Sequence, residues 1–441
     1  MQKIINRLIL CFFLLGSIQT KANTFSEINA LGQKALMAFV NKEFKTVQKM
    51  VDSNYQSYYS DITLERDWTE LIGTYGKYMS SKPVNFEKSQ YYTFIAYKIN
   101  FEYLPYILNL SFNDKKEIIY ISFMQAHKVY FAPDYANVST FTEEKFTFHN
   151  KEYELNGLLS VPNLPGKLPL IVIIGESGPT DKDGSYDENK PYKDLAWGMA
   201  TNGYVVFRYD KRSINYSIML MRDKMSYTSF TCREDYLDDL YKAMDTLESF
   251  KYIDKDRVYV LGHGQGGMLL PLVAKERREV KGIIMMGSNA KRTQEMMIDQ
   301  YAYLSKVTPY KKDEYDEQAK KALRSMDKKL NPLTEHHHMP YDVQATYWIW
   351  LNKYKHLEMA KKQKTPMLIL HGERDYQVNM ENLKLWQNTL SKNPAATIKS
   401  YPKLNHLFYT GEVESTYSEY YLKSNIPDYV MKDIIEWLKA H

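Results

Sequence analysis

The chain has 441 residues, of which 44% are hydrophobic, and a formal charge of +5. That size allows two domains with sizeable cores, and a near-neutral balance without a basic cluster argues against a nucleic-acid partner. With only two cysteines, Cys11 and Cys232, a disulfide-rich scaffold is excluded.

In chain order, the first segment is Met1 to Ala22, with basic Lys3 and Arg7, the apolar run Leu8 to Leu15, and Thr20-Lys21-Ala22. This is the pattern of a secretory signal cleaved after Ala22 and too short to span a membrane. The expectation is an exported protein, periplasmic or extracellular, without a stable membrane span once the signal is removed. Taking Lys3, Arg7 and Lys21 from the +5 leaves +2. Cys11 follows Leu8-Ile9-Leu10, which suggests a lipid anchor, but apolar residues continue past it and anchoring is the lesser reading.

Residues 24–135 read as a small α+β domain. Ile28, Leu31, Ala35, Phe39 and Val40 recur at helical spacing, and Phe44, Val47, Met50 and Val51 continue it. The period then becomes two, with Leu108, Leu110 and Phe112 alternating with polar residues before a turn at Asn113 to Lys116 and a strand from Ile118 to Phe123. No cluster of His, Asp and Cys occurs there, so no chemistry is assigned to it.

Residues 140–441 alternate strand and helix. Strands are expected at Glu152 to Val161, Leu170 to Ile174, Tyr204 to Tyr209, Val258 to Gly262, Gly282 to Gly287 and Met367 to Leu370. Several are unbroken apolar runs, as in a parallel sheet buried on both faces. An amphipathic helix places Tyr236, Leu237, Leu240, Met244 and Leu247 on one face and Asp238, Asp239 and Lys242 on the other. The fold class is α/β, a mostly parallel sheet with helices on both faces, and residues 290–360 are expected to form a helical lid.

The most informative segment is Gly262-His263-Gly264-Gln265-Gly266-Gly267, between the strand Arg257 to Leu261 and the apolar run Met268 to Ala274. Strand, tight glycine turn and helix are the setting of a nucleophile elbow. A serine at position 264 would complete it, but Gly264 offers no hydroxyl. An acyl-transfer triad also needs an acid and a histidine, in that chain order. Asp375 follows the strand Pro366 to Leu370, and His406 follows the short strand Thr397 to Tyr401. The oxyanion hole would take one backbone N–H from Gln265 and another from Ser177, in the loop Gly175 to Gly184.

The pieces ESGPTDKDG, RYDKR, EDYLDDL, GHGQGG, HGERDYQV and YPKLNH, in that order, resemble a family of secreted α/β-hydrolases related to the serine aminopeptidases and acyl hydrolases. The resemblance spans nearly all of 24–441. It implies the α/β-hydrolase fold, an N-terminal domain similar to cystatin-like or nuclear-transport-factor-like domains, and a carboxylic-ester or acyl hydrolase with Asp375 as acid, His406 as base and the nucleophile at 264. The chain departs from that pattern at Gly264, at Glu176 where a glycine is usual, and at Ser213-Ile214-Asn215 after RYDKR. Several altered loops point to natural drift away from hydrolysis.

The expected function is therefore an exported pseudoenzyme that binds an ester, acyl or peptide-like small molecule. The alternative is residual hydrolysis by a water filling the space of the missing side chain and activated by His406 and Asp375. A minor alternative is dinucleotide binding, because Gly262, Gly264 and Gly267 spell a G-x-G-x-x-G turn. Against it, the next strand ends Gly287-Ser288-Asn289 without the carboxylate that fingerprint wants. No cofactor and no metal are expected. His336, His337 and His338 read as a solvated loop whose rings diverge, and Cys232 reads as packing.

Overall fold

The computed structural model describes residues 25–89, 91–125, 130–216 and 230–441. The expected signal and Cys11 lie outside the described residues. The chain divides into two compact units, Met1–Lys128 and Val129–His441.

In the first unit, helices at 25–40, Phe44–Lys49 and Asp61–Tyr75 accompany four strands, β1 (Tyr78–Lys88), β2 (Thr93–Phe101), β3 (Pro105–Phe112) and β4 (Ile118–Gln125). The strands form an antiparallel meander in the order β1-β2-β3-β4. The helical spacing from Ile28 to Val51 does not make one helix, because Lys42 adopts a positive φ of 61° that breaks it in two. Ser60 caps the third helix, its Oγ accepting from the Thr63 N–H at 3.2 Å. Trp68, Phe39 and Phe123 pack together in this unit's core.

The second unit is built on an eight-stranded sheet, ordered β12-β11-β10-β9-β7-β8-β6-β5. Its strands are β5 (Phe141–Asn150), β6 (Tyr153–Pro162), β7 (Leu168–Ile174), β8 (Val205–Tyr209), β9 (Ile253–His263), β10 (Val280–Met286), β11 (Met367–Gly372) and β12 (Ala396–Tyr401). The β5–β6 and β6–β8 pairs are antiparallel and the remaining pairs parallel. Every residue of β7, β8 and β11 is buried, which is why β7 reads as an unbroken apolar run and β8 and β11 as apolar runs interrupted only by buried Arg208 and His371. Helices occupy much of 290–360, at Thr293–Val307, Lys312–Ser325, Ala345–Lys353 and His356–Lys362.

In this unit two details differ from the sequence reading. Strand β5 has no counterpart among the expected strands, because its burial pattern leaves most of FTEEKFTFHN in solvent and gives no clean period. Asp239, expected on the wet face of its helix, is buried and accepts from Arg212 Nε at 2.8 Å and from Asn150 Nδ2 at 2.8 Å. A buried carboxylate needs such partners. The departure Ser213-Ile214-Asn215 falls in a helical stretch at 212–216.

Candidate active site

The site is assembled where neighbouring strands β7, β9, β10 and β11 end. After β9 the chain turns at Gly264, with φ +51° and ψ −118°, straight into the helix Gln265–Glu276. L-residues rarely adopt such a conformation, and it is the strain expected of a nucleophile elbow. The other glycines of the motif have steric reasons. A Cβ on Gly262 would stand 2.6 Å from the backbone of Gly266 and Gly267, and one on Gly267 would stand 2.8 Å from the Gly262 carbonyl. Gly266 in turn packs against the Gly175 carbonyl, so the elbow and the β7 loop touch.

Asp375 and His406 meet from β11 and β12. His406 Nδ1 lies 2.6 Å from Asp375 Oδ2. Asp375 is aimed by the N–H groups of Gln377 and Val378, each donating to its Oδ1 at 2.8 Å. Asn405 shapes the histidine loop, its Oδ1 accepting from the N–H groups of Leu407 and Tyr409 at 3.0 Å. Gly287, at the end of β10, leaves room for the pair, since a Cβ there would stand 3.1 Å from His406 Nδ1 and 3.5 Å from Asp375 Oδ2.

The other face of His406 meets Glu176. Its Nε2 lies 2.7 Å from Glu176 Oε2. The Ser177 N–H donates to Glu176 Oε1, and the Gln265 N–H approaches the same oxygen at 3.4 Å. Ser177 and Gln265 thus converge on one oxygen, and that oxygen belongs to the protein. A Cβ built on Gly264 overlaps the Glu176 carboxylate at Oε2. The loss of a side chain at 264 and the gain of one at 176 therefore occupy a single volume.

This corrects two readings. The space beside Gly264 is filled by a carboxylate rather than open to a hydrolytic water. The N-terminus of the elbow helix, where a pyrophosphate would bind, is likewise taken by Glu176, and Gly262 and Gly267 are accounted for by backbone contacts.

Sequence reasoning missed several residues that hold the site. Lys211, from RYDKR, donates through Nζ to the carbonyls of Glu176 at 3.2 Å and Gly178 at 2.9 Å, and pairs with buried Asp235 at 3.1 Å. The Tyr236 hydroxyl donates to the same Glu176 carbonyl at 2.9 Å. The Tyr192 hydroxyl accepts from the Glu176 N–H at 2.9 Å and bonds His263 Nδ1 at 3.1 Å. His263 Nε2 donates to the His406 carbonyl at 2.9 Å. The Gln265 side chain donates to the Tyr347 hydroxyl at 2.7 Å and to Cys232 Sγ at 3.3 Å.

The charges follow from this geometry. Burial alone would raise the Glu176 carboxyl, but the His406 bond and charge, His263 and the Ser177 N–H hold it well below the usual carboxylate range. Burial opposes the charge on His406, yet Asp375 and Glu176 together push its pKa up to about 10. Burial and the His406 charge push His263 down to about 4. At neutral pH His406 is thus an imidazolium clamped between two carboxylates, with His263 neutral beside it.

Glu176, His263 and His406 place potential metal-ligand atoms within 4.8 Å of one another. The proton held by His406 Nε2 removes the lone pair a metal would use. On the surface Glu335, His337 and His338 form a second such group. The His337 and His338 rings converge, with centroids 3.9 Å apart, where divergence was expected. Cys232 is buried and its thiol is pushed up to about 12 by burial. Among the described residues no helix is long and apolar enough to cross a membrane.

Known proteins place the chain. The family described as serine aminopeptidase, S33, matches residues 183–413. Esterase EstD of Thermotoga maritima is 32% identical over 317 residues, covering 72% of each chain. Among solved structures, Est1E from Butyrivibrio proteoclasticus is 17% identical with a TM-score of 0.44, covering 67% of this chain and 98% of that one. The esterase domain of a Rhodothermus marinus protein is 15% identical with a TM-score of 0.42, covering 68% and 98%. The chain belongs to the serine aminopeptidase S33 family of α/β-hydrolases.

Proposed function

We propose that this is an exported member of the family that has given up serine acyl transfer and keeps a site for an ester, acyl or peptide-like small molecule. The observation that carries the reading is the position of Glu176. One carboxylate oxygen faces the Ser177 and Gln265 N–H groups expected to form the oxyanion hole, and the other occupies the volume that the first side-chain atom of a residue at 264 would need. A substrate carbonyl finds neither a nucleophilic hydroxyl nor free donors, and oxyanion stabilisation is usually the largest single catalytic contribution. His406, already protonated, cannot accept the proton that a serine mechanism must give it.

Gly264→Ser with and without Glu176→Gly tests this on p-nitrophenyl acetate. Gly264→Ser alone places the new side chain on the Glu176 carboxylate and should stay near background. The double variant frees the hole and should exceed the single variant by about 10²-fold, the worth of an oxyanion donor. Adding His406→Ala should remove the gain. Ester turnover by the natural chain equal to that of the double variant, or its covalent labelling at an active-site serine by a fluorophosphonate, would refute the reading.

A further inference from the structure

Among the described residues, Glu335, His337 and His338 form a metal-ligating cluster that the acyl-transfer machinery does not use. Its geometry comes from a tight turn. The His338 N–H donates to the Glu335 carbonyl at 3.1 Å and the Met339 N–H to the His336 carbonyl at 2.8 Å, closing a 3-10 turn over His336–His338. Side chains three residues apart eclipse in such a turn, so Glu335 and His338 face the same way. His337 swings between them, its Nδ1 at 3.4 Å from Glu335 Oε2 and its ring centroid 3.9 Å from that of His338. All three are exposed, whereas Met339 is fully buried and pins the end of the turn. His336 is left out, its ring 6.2 Å from that of His337 and almost perpendicular to it.

Hydrogen bonding does not explain this spacing, since a charge-assisted bond closes to about 2.7–2.9 Å. The 3.4 Å gap between Glu335 and His337 is instead the edge of a tetrahedron whose centre lies about 2.1 Å from each corner, the length of a zinc–nitrogen or zinc–oxygen bond. One ligand atom from each residue falls within 4.8 Å of the other two.

We propose that Glu335, His337 and His338 form a divalent transition-metal site, of the kind zinc occupies, that ties down the turn carrying Tyr341. Two imidazoles and one carboxylate suit zinc and leave a fourth position for water. Calcium and magnesium, which demand more oxygen ligands, are poorly served. The chain after the cluster is strained, because Tyr341 and Asp342 hold positive φ of 53° and 52°. Asp342 pairs with Lys321 at 2.9 Å. The Tyr341 hydroxyl turns inward to bond that of Tyr301, where burial and then the Glu176 charge push its pKa up. A metal held by 335–338 therefore stiffens a strained segment whose side chain feels Glu176.

Calorimetric titration of the full chain, free of any histidine tag, with zinc chloride provides the test. One site per chain is expected. His337→Ala and His338→Ala should each weaken binding by more than the about 10-fold that loss of an outer-shell partner already costs. His336→Ala should leave the affinity unchanged, and excess calcium should not displace the zinc. Exposed ligands make these variants foldable, and unchanged unfolding midpoints verify it. Zinc should also slow hydrogen exchange of the amides in 335–343. No zinc binding, binding that survives the His337→Ala/His338→Ala double variant, or equal loss in His336→Ala would overturn the site. Binding without slower exchange would overturn its hold on the Tyr341 turn. None of the variants alters Gly264, Glu176 or His406, so the outcome is independent of the proposed loss of serine acyl transfer.

Discussion

Two residues define this molecule, and neither is interpretable alone. Gly264 holds φ +51° and ψ −118°, a conformation that costs an L-residue on the order of 1–3 kcal/mol. Its missing side chain makes room for Glu176. Gly264→Ala should therefore destabilise the protein by that strain plus the loss of the Glu176 contacts, whereas in a Glu176→Gly background only the strain remains. A double-mutant cycle by urea unfolding measures the difference, and a coupling of zero would mean the two positions do not share a volume. The charge cluster makes a second prediction. His406 is raised from 6.5 to about 10, so its stabilisation is complete below pH 6.5 and lost as pH rises through 10. Glu176 is lowered from its ordinary 4.5, so its contribution is present above that value and lost on acidification. The stability advantage of the natural chain over Glu176→Gln should peak between about pH 4.5 and 6.5 and decline toward pH 10. A difference that does not vary with pH would contradict the imidazolium between two carboxylates. From the sequence, Gly264, Asp375 and His406 follow from motif and chain order, and Glu176 is visible only as a departure. Its role lay in a volume exchange between two loops, which becomes legible once β7 and β9 are known to be neighbours in the sheet.

At the scale of elements, strands buried on both faces announce themselves, while of the two edge strands of the eight-stranded sheet β12 is legible and β5 is not. Strand β7 is apolar throughout, whereas β5 at the sheet's end shows glutamates and a lysine to solvent and gave no signal. Helices are less secure where one residue breaks them, as Lys42 does within an otherwise helical spacing. The loop after β7 is shaped from outside itself, by a lysine more than thirty positions further along. Lys211 bonds two of its carbonyls and neutralises Asp235, both side chains being almost wholly buried. Lys211→Met leaves a buried carboxylate without its partner and should cost about 3–5 kcal/mol. Lys211→Met combined with Asp235→Asn removes the uncompensated charge and should recover part of that loss. Chemical denaturation of the three proteins decides it, and a double variant no more stable than Lys211→Met would show that the loop contacts, not the charge, carry the effect.

Among the described residues two hydrophobic cores share no residue, one around Trp68 and one on the eight-stranded sheet. Neither gains from a cross-link, because Cys232 is the single cysteine of the described residues and is buried. Burial also pushes that thiol up to about 12, which leaves almost no thiolate to react while the fold is intact. Cys232 is therefore a reporter of the second core, silent to iodoacetamide in the native protein and reactive once that core opens. Trp68 reports the first, since truncating a fully buried tryptophan to alanine should remove about 3–5 kcal/mol. In Trp68→Ala the loss of helical signal in urea should begin at lower denaturant, while the midpoint for Cys232 alkylation stays that of the natural chain. A shift of both midpoints together would show that the two cores unfold as one cooperative unit despite sharing no side chain.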